Sequence, residues 1–328
     1  MRDDAVAPVI AVMLILAAAV TLLVIFNGMV IPSLKESSET EHLYHVESAF
    51  QHFSSAIAQA VMARQDRMIL SEPVQLGGGD VVLNTLRSGG SLAVMDEQEP
   101  VCYLTFYDGS GMEIGRMNST LVNISYNPAG NFWQEQGYRW QYGYLNVTKY
   151  GKRETPLSYF RMNDVNNDFS GAGSLAAFAG SFGSLEYSVN RTYFQNATPN
   201  PDNRLTFSPR AGNCSGIVLW AVNLSASPDR AFVSGNGFGK LDLKTRVTPV
   251  QYPDVYAVTF ASDGKSFGNA TFRKWNESFT TLAEDCENNI RYHPEHSGDD
   301  FSLYTIQHQQ ENPVNVTLNV VSIEIGAY

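Results

Sequence analysis

Residues Ala5 to Phe26 read AVAPVIAVMLILAAAVTLLVIF, twenty-two residues without a charge close to the start of the chain. Coiled as a helix at about 1.5 Å per residue, the run is roughly 33 Å long, enough to cross the roughly 30 Å hydrocarbon layer of a bilayer. It ends at Asn27, Gly28 and Pro32. No later segment stays apolar for the roughly 18 residues that a second span needs. The expected organisation is a short leader at 1–4, one membrane helix at 5–32, and residues 33 to 328 all on one side of the membrane. A cleaved secretory signal is the alternative, since Ala17, Ala18 and Ala19 imitate a small-residue cleavage site. Cutting there would leave VTLLVIFNGMVIP as a bare apolar start on a soluble product, so the run is read as a span.

Beyond Ser33 the apolar residues become periodic. Leu43, Val46, Phe50, Phe53, Ile57 and Ala60 recur at spacings of three and four, with Glu41, His45, Glu47, Gln51 and Gln59 on the other face. This pattern predicts an amphipathic stalk helix over 33–68 that continues out of the membrane. Pro32 lacks a backbone donor and crowds the carbonyl of Gly28, which predicts a kink between 28 and 32 rather than a stop. The helix should fray by Asp66, and Pro73 with Gly77, Gly78 and Gly79 ends any continuation. The seam of Leu43, Val46, Phe50, Phe53 and Ile57 must bury against something, either the protein's own β domain or neighbouring helices in an oligomer.

The remainder reads as strands. Val101 to Tyr107 and Met112 to Gly115 flank Asp108-Gly109-Ser110-Gly111, a hairpin by its turn residues. Leu121 to Tyr126, Tyr138 to Gln141 and Tyr144 to Tyr150 complete a first β unit over 80–160. Residues 161–184, rich in Asn and Asp and then in Gly, Ser and Ala, read as a loop or junction. A second β unit over 185–328 offers Leu185 to Val189, Ile217 to Leu224, Leu241 to Thr248 and Val255 to Phe260. One short helix, carrying Phe272, Trp275, Phe279 and Leu282, interrupts it. The last strand alternates at Val314, Val316, Leu318 and Val320, then slips phase to Val321, Ile323 and Ile325, which predicts a β-bulge near 320. The fold class is α+β: a membrane helix extended as a stalk, then a mainly antiparallel, sandwich-like ectodomain.

The charge balance is 22 Lys and Arg against 33 Asp and Glu, net −11, with no basic block. Nucleic acid is excluded as an expected partner. Ten Asn-x-Ser/Thr triplets lie beyond the span, at Asn118, Asn123, Asn146, Asn190, Asn196, Asn213, Asn223, Asn269, Asn276 and Asn315. Chance supplies several in a chain rich in Asn, Ser and Thr, but their use would place the bulk of the chain outside the cell. Flanking charge decides little, because Arg2 on one side stands against Lys35 on the other. The three cysteines, Cys102, Cys214 and Cys286, contain no Cys-x-x-Cys. They suit one bridge plus one free buried thiol, and Cys214 with Cys286 is the pairing expected from their shared place in the C-terminal half.

Several constellations carry a chemical reading beside a plainer one. Asp164, Asn166 and Asp168 have the first spacings of a calcium loop, but Phe169 stands where glycine is needed and Leu175 where the bidentate Glu belongs. His293-Pro294-Glu295-His296, with Asp299 and Asp300, gathers imidazoles and carboxylates in one loop, and its proline precludes the helical zinc geometry. His42, His45 and His52 read as polar-face residues of the stalk. Gly235-Asn236-Gly237-Phe238-Gly239-Lys240 reads as a turn before a strand, not a phosphate loop. No metal and no cofactor is expected. The aromatic run Phe132, Trp133, Tyr138, Trp140, Tyr142 and Tyr144 reads first as β core and second as a sugar-stacking surface.

A minimal charged leader, the AVAPVIAVMLIL run with proline fourth in it, an amphipathic extension of the same helix and a β-rich tail together resemble the archaeal type IV pilin family. The resemblance is specific over about residues 2–27. It implies a leader cut by a prepilin peptidase, an apolar helix stored in the membrane, and helices that later bundle as a filament core. The residues that would carry this are Ala5, Pro8, Val12, Leu16 and Phe26. The implied partners are membrane lipid and like subunits, with a surface glycan as a further possibility, and the implied location is the cell surface. A non-enzymatic structural or minor filament subunit is therefore the leading expectation. A monomeric tethered β-rich module that binds a glycan, an S-layer or a solute is the alternative. A tethered hydrolase, resting on scattered His and acidic residues, is the third.

Overall fold

A computed structural model describes residues 6–78, 88–130, 135–151, 153–190, 198–199, 205–206, 212–286, 290–297, 301–308 and 313–328. The chain opens with helix α1 (Val6–Ile25), a π-helical turn (Phe26–Val30) and helix α2 (Ile31–Ala63). Strands β1 (Ile69–Gln75), β2 (Gly89–Asp96), β3 (Cys102–Tyr107), β4 (Glu113–Ser119) and β5 (Val122–Ala129) follow. Next come β6 (Gln136–Gln141), β7 (Tyr144–Lys149) and β8 (Arg153–Pro156), then helices α3 (Met162–Ser170) and α4 (Ser174–Gly180). After them run β9 (Gly183–Asn190), β10 (Thr198–Pro199), β11 (Leu205–Thr206), β12 (Asn213–Gly235), β13 (Phe238–Val255) and β14 (Ala257–Ser262). Helix α5 (Ser266–Asp285) precedes β15 (Ile290–Ser297), β16 (Phe301–His308) and β17 (Val314–Ala327).

The membrane-length run and the stalk are one helical path. At the expected irregularity the ladder widens instead of breaking, and the Ile31 N–H donates to the Phe26 carbonyl five residues back. The widening falls where Pro32, in the first turn of α2, lacks the N–H that a regular ladder would bring to the Gly28 carbonyl. Arg64 closes α2 in a left-handed conformation (φ 49°), its N–H bonded to Ala60 O at 3.2 Å.

A ten-stranded sheet runs β1-β13-β17-β12-β2-β5-β6-β7-β8, with β9 also paired to β12, and a five-stranded sheet runs β15-β16-β14-β3-β4. Every pairing is antiparallel except β12 with β17, which is parallel. The segments 80–160 and 185–328 do not form separate units: β2 and β5–β8 extend the large sheet from β12, while β3 and β4 join β14 in the small one. Residues 161–184 are not a loop either, since α3 and α4 bury Val165, Phe169, Leu175 and Phe178. Helices this short, set apart by Gly171 and Gly173, carry too few turns to register as a period. His293 to His296 lie within β15, paired along β16, rather than in a loop.

No bulge occurs near 320. The register of β17 with both β12 and β13 runs unbroken from Val316 to Ile325. What changes is the covered face. Val316 and Leu318, beside Ile217 and Leu219 of β12, are buried on one face, whereas Val321, Ile323 and Ile325, beside Val222 and Leu224, are buried on the other. The small sheet and α5 cover the first face: Ala221 shares a cavity wall with Phe182, Phe260 and Trp275, and Tyr252 of β13 stacks on Phe106 at 4.4 Å between centroids. Helix α2 lies over the second. One long sheet is thus shared by two cores that sit on opposite faces.

Candidate functional site

The candidate site is the long helix, whose two parts meet opposite environments. Val12 and Leu16 are 65% and 64% exposed, and the large apolar side chains from Ile10 to Val30 touch no other part of the fold in a way that buries them. Pro8 lies in the first turn of α1, and Ala5 lies outside the described residues. Thr21, the one hydroxyl in the span, donates to Ala17 O at 2.8 Å, so it carries no unsatisfied donor into an apolar medium. Among the described residues one helix is long and apolar enough to cross a membrane.

The seam behaves differently. Leu43, Val46, Phe50, Phe53 and Ile57 are all buried, and the protein's own large sheet buries them. Tyr138 from β6 places its hydroxyl 3.2 Å from both the Leu43 carbonyl and a Glu47 carboxylate oxygen, and its ring lies 6.3 Å from that of Phe50. Trp140 Nε1 donates to Ser54 Oγ at 2.9 Å. The choice between own domain and neighbouring helices is therefore decided for residues 43–61: the β domain holds them, and a second helix has no access to this stripe.

Lys35, Glu39 and His42 continue the same stripe toward the apolar N-terminal run and are buried as well, at 6%, 3% and 3% exposure. His42 was expected on the polar face, but its spacing of four from Val46 and three from Glu39 puts it on the seam. Its Nε2 lies 2.9 Å from the Tyr126 hydroxyl, which itself donates to Leu76 O at 3.0 Å. Tyr126 has one proton to give, so Nε2 must donate, and Nδ1 is left buried without a partner among the described residues. A Cβ at Gly78 would meet the imidazole at 2.4 Å, which requires glycine there.

Burial, and then the neighbouring His45, lower the affinity of His42 for a proton, while Glu39 opposes them. The neutral ring is the folded form, so this contribution to stability is complete above the ordinary imidazole value of 6.5 and falls as the pH drops below it. The urea midpoint of the wild type should decrease between about pH 7.5 and about pH 5.5. In His42→Gln, which keeps a donor for Tyr126 and removes the titration, that slope should flatten. An unchanged slope would mean that other groups govern the acid limb.

The sequons separate by accessibility. Asn118, Asn190, Asn213, Asn269 and Asn315 are exposed; Asn123, Asn223 and Asn276 are half-buried; Asn196 lies outside the described residues. Asn146 is 2% exposed in the middle of β7, so it is closed to a glycosylating enzyme once the chain has folded. Asn190 and Asn213 are register partners, and Asn315 precedes the β17 residue that pairs with Ile217, so three sequons share one end of the large sheet. That end is opposite to the Gly235–Gly237 turn, which lies beside Leu76 at the anchor side of the stalk.

All three cysteines are buried. Cys102 stands apart in β3, near Ser119, and burial pushes its thiol up to about 12. Cys214 Sγ donates to Gly216 O at 3.6 Å, and burial raises its thiol above the usual range while the neighbouring Cys286 side chain opposes that rise. Asp164, Asn166 and Asp168 lie on helix α3, where Tyr159 and Ser174 hydroxyls occupy Asp168. Among the described residues no three His, Cys, Asp or Glu side chains come together as metal ligands do. Of the aromatic run, Tyr138 and Trp140 are core, and Phe132 and Trp133 lie outside the described residues. Tyr142 and Tyr144 line an open cavity of about 140 Å³ with Phe169, Phe267 and Lys265, a grouping that no sequence spacing announces.

No protein-family model, curated protein or solved structure matches the chain.

Proposed function

We propose that the chain is a non-enzymatic, membrane-anchored surface protein of type IV pilin-like build, acting as a structural or minor subunit of a cell-surface filament. One observation carries the reading. A single helical path has one face buried by its own β domain from Leu43 to Val61 and carries no buried side chain from Ile10 to Val30. Bare apolar helix of this length is stable only in lipid or against other apolar helices. Because the seam is already covered, like subunits would meet through residues 10–34 alone. The ectodomain would stand outside the cell, with Asn190, Asn213 and Asn315 at its far end.

The test compares membranes with filaments sheared from cells, reading the N-terminus and glycans by mass spectrometry. The reading expects the chain in the sheared fraction, starting between Asp3 and Val6, with glycan on exposed sequons and none on Asn146. A chain that keeps Met1 and stays in membranes would overturn it. That outcome would favour a tethered binding module, for which the Tyr142–Tyr144 cavity supplies aromatic walls and a cationic rim suited to stacking one sugar ring.

A further inference from the structure

We propose that Cys214 and Cys286 form a disulfide when the chain folds in an oxidising compartment, and that Cys102 remains a thiol. The proposal does not depend on filament assembly. It stands on a contact that the two cysteines do not make by themselves. Cys214 is the second residue of β12 and Cys286 follows the last turn of α5, its N–H bonded to Leu282 O at 2.9 Å. The Gly212 N–H donates to Asp285 O at 3.0 Å, and the Tyr187 hydroxyl of β9 donates to an Asp285 carboxylate oxygen at 2.6 Å. The residues beside each cysteine thus fasten the end of α5 to the start of β12 and bring the two cysteines to one place in the fold. Cys102, by contrast, pairs in the small sheet with Ser119 and Ser262.

The step is a thiol–disulfide exchange. The two thiols give up two protons and two electrons, an S–S bond forms between them, and the disulfide of an exported oxidoreductase is reduced to two thiols. Burial raises the Cys214 thiol above its usual range and closes both sulfurs to solvent, so the exchange precedes final packing. The bond would join strand β12 of the large sheet to the helix that covers the small one. A tug on the ectodomain would then be unable to part α5 and the small sheet from the large sheet without breaking a covalent link.

The test uses full-length protein extracted from membranes without reductant and alkylated while denatured. The expected result is one cross-linked peptide pair containing Cys214 and Cys286, lighter by two hydrogens than the free peptides, with Cys102 alkylated. Cross-linking of about 70 residues shifts the unfolding equilibrium by on the order of a thousandfold. Reductant should therefore lower the melting temperature of the wild type. Cys214→Ser, Cys286→Ser and the double variant should all melt near the reduced wild type, whereas Cys102→Ser should keep its sensitivity to reductant. Alkylation of all three cysteines before reduction, or a bridge to Cys102, would overturn the proposal; the peptide map of the wild type decides this even if a variant fails to fold.

Discussion

Leu16→Asp is expected to remove most of the chain from the membrane fraction. The residue sits near the middle of α1, 64% exposed to whatever surrounds the helix, and no side chain nearby offers a counter-charge within the Ala5–Phe26 run. An aspartate at the centre of a span costs about 3 kcal/mol of insertion free energy, which corresponds to roughly a hundredfold in partition. Val12→Asp should behave alike. The control is Met62→Asp, at a position 58% exposed on the stalk, which should leave partition unchanged. Fractionation of cells expressing each variant, followed by shearing, reads both anchoring and assembly. Recovery of Leu16→Asp in membranes and filaments at the wild-type level would mean that the helix is neither a span nor a filament core.

Phe53→Ala is expected to destabilise the ectodomain by about 3–5 kcal/mol, the usual cost of emptying a fully buried aromatic site. Phe53 is 2% exposed at the middle of the seam, between Phe50 and Ile57, which are themselves buried. The matched control is Tyr44→Ala: at 69% exposure on the opposite side, it should change stability by less than about 0.5 kcal/mol. Urea unfolding followed by tryptophan fluorescence reports the event, because Trp140 and Trp275 are buried in the two cores. A Phe53→Ala midpoint equal to that of the wild type would place the seam at a subunit interface instead of in the protein's own fold.

Much of this architecture is legible in residue order. A run of uncharged apolar residues, a change to period 3.6 after Ser33, turn residues at Asp108–Gly111 and Gly235–Gly237, and alternation along the late strands each report a local preference that the fold keeps. The anchor, the stalk and the β-rich character follow from these. The misreadings have a common source. The phase slip at Val320 looks like a bulge because alternation records which face is buried, and it is silent on whether the ladder or the covering layer has changed. His42 looks polar by type, yet it sits on the seam by position, and Tyr126 reaches it from 84 residues away.

Local pattern therefore set the kind of elements and the bare apolar helix, because hydrophobic period and turn chemistry act over a few residues. The rest was decided by pairing across long separations. The interleaving of the two sheets, the covering of one sheet by different layers on its two faces, the meeting of Cys214 with Cys286, and the closure of the seam by the protein's own β domain depend on strands and helices far apart in the chain. Their free energy comes from surface buried between distant segments, and no window of neighbouring residues carries that information.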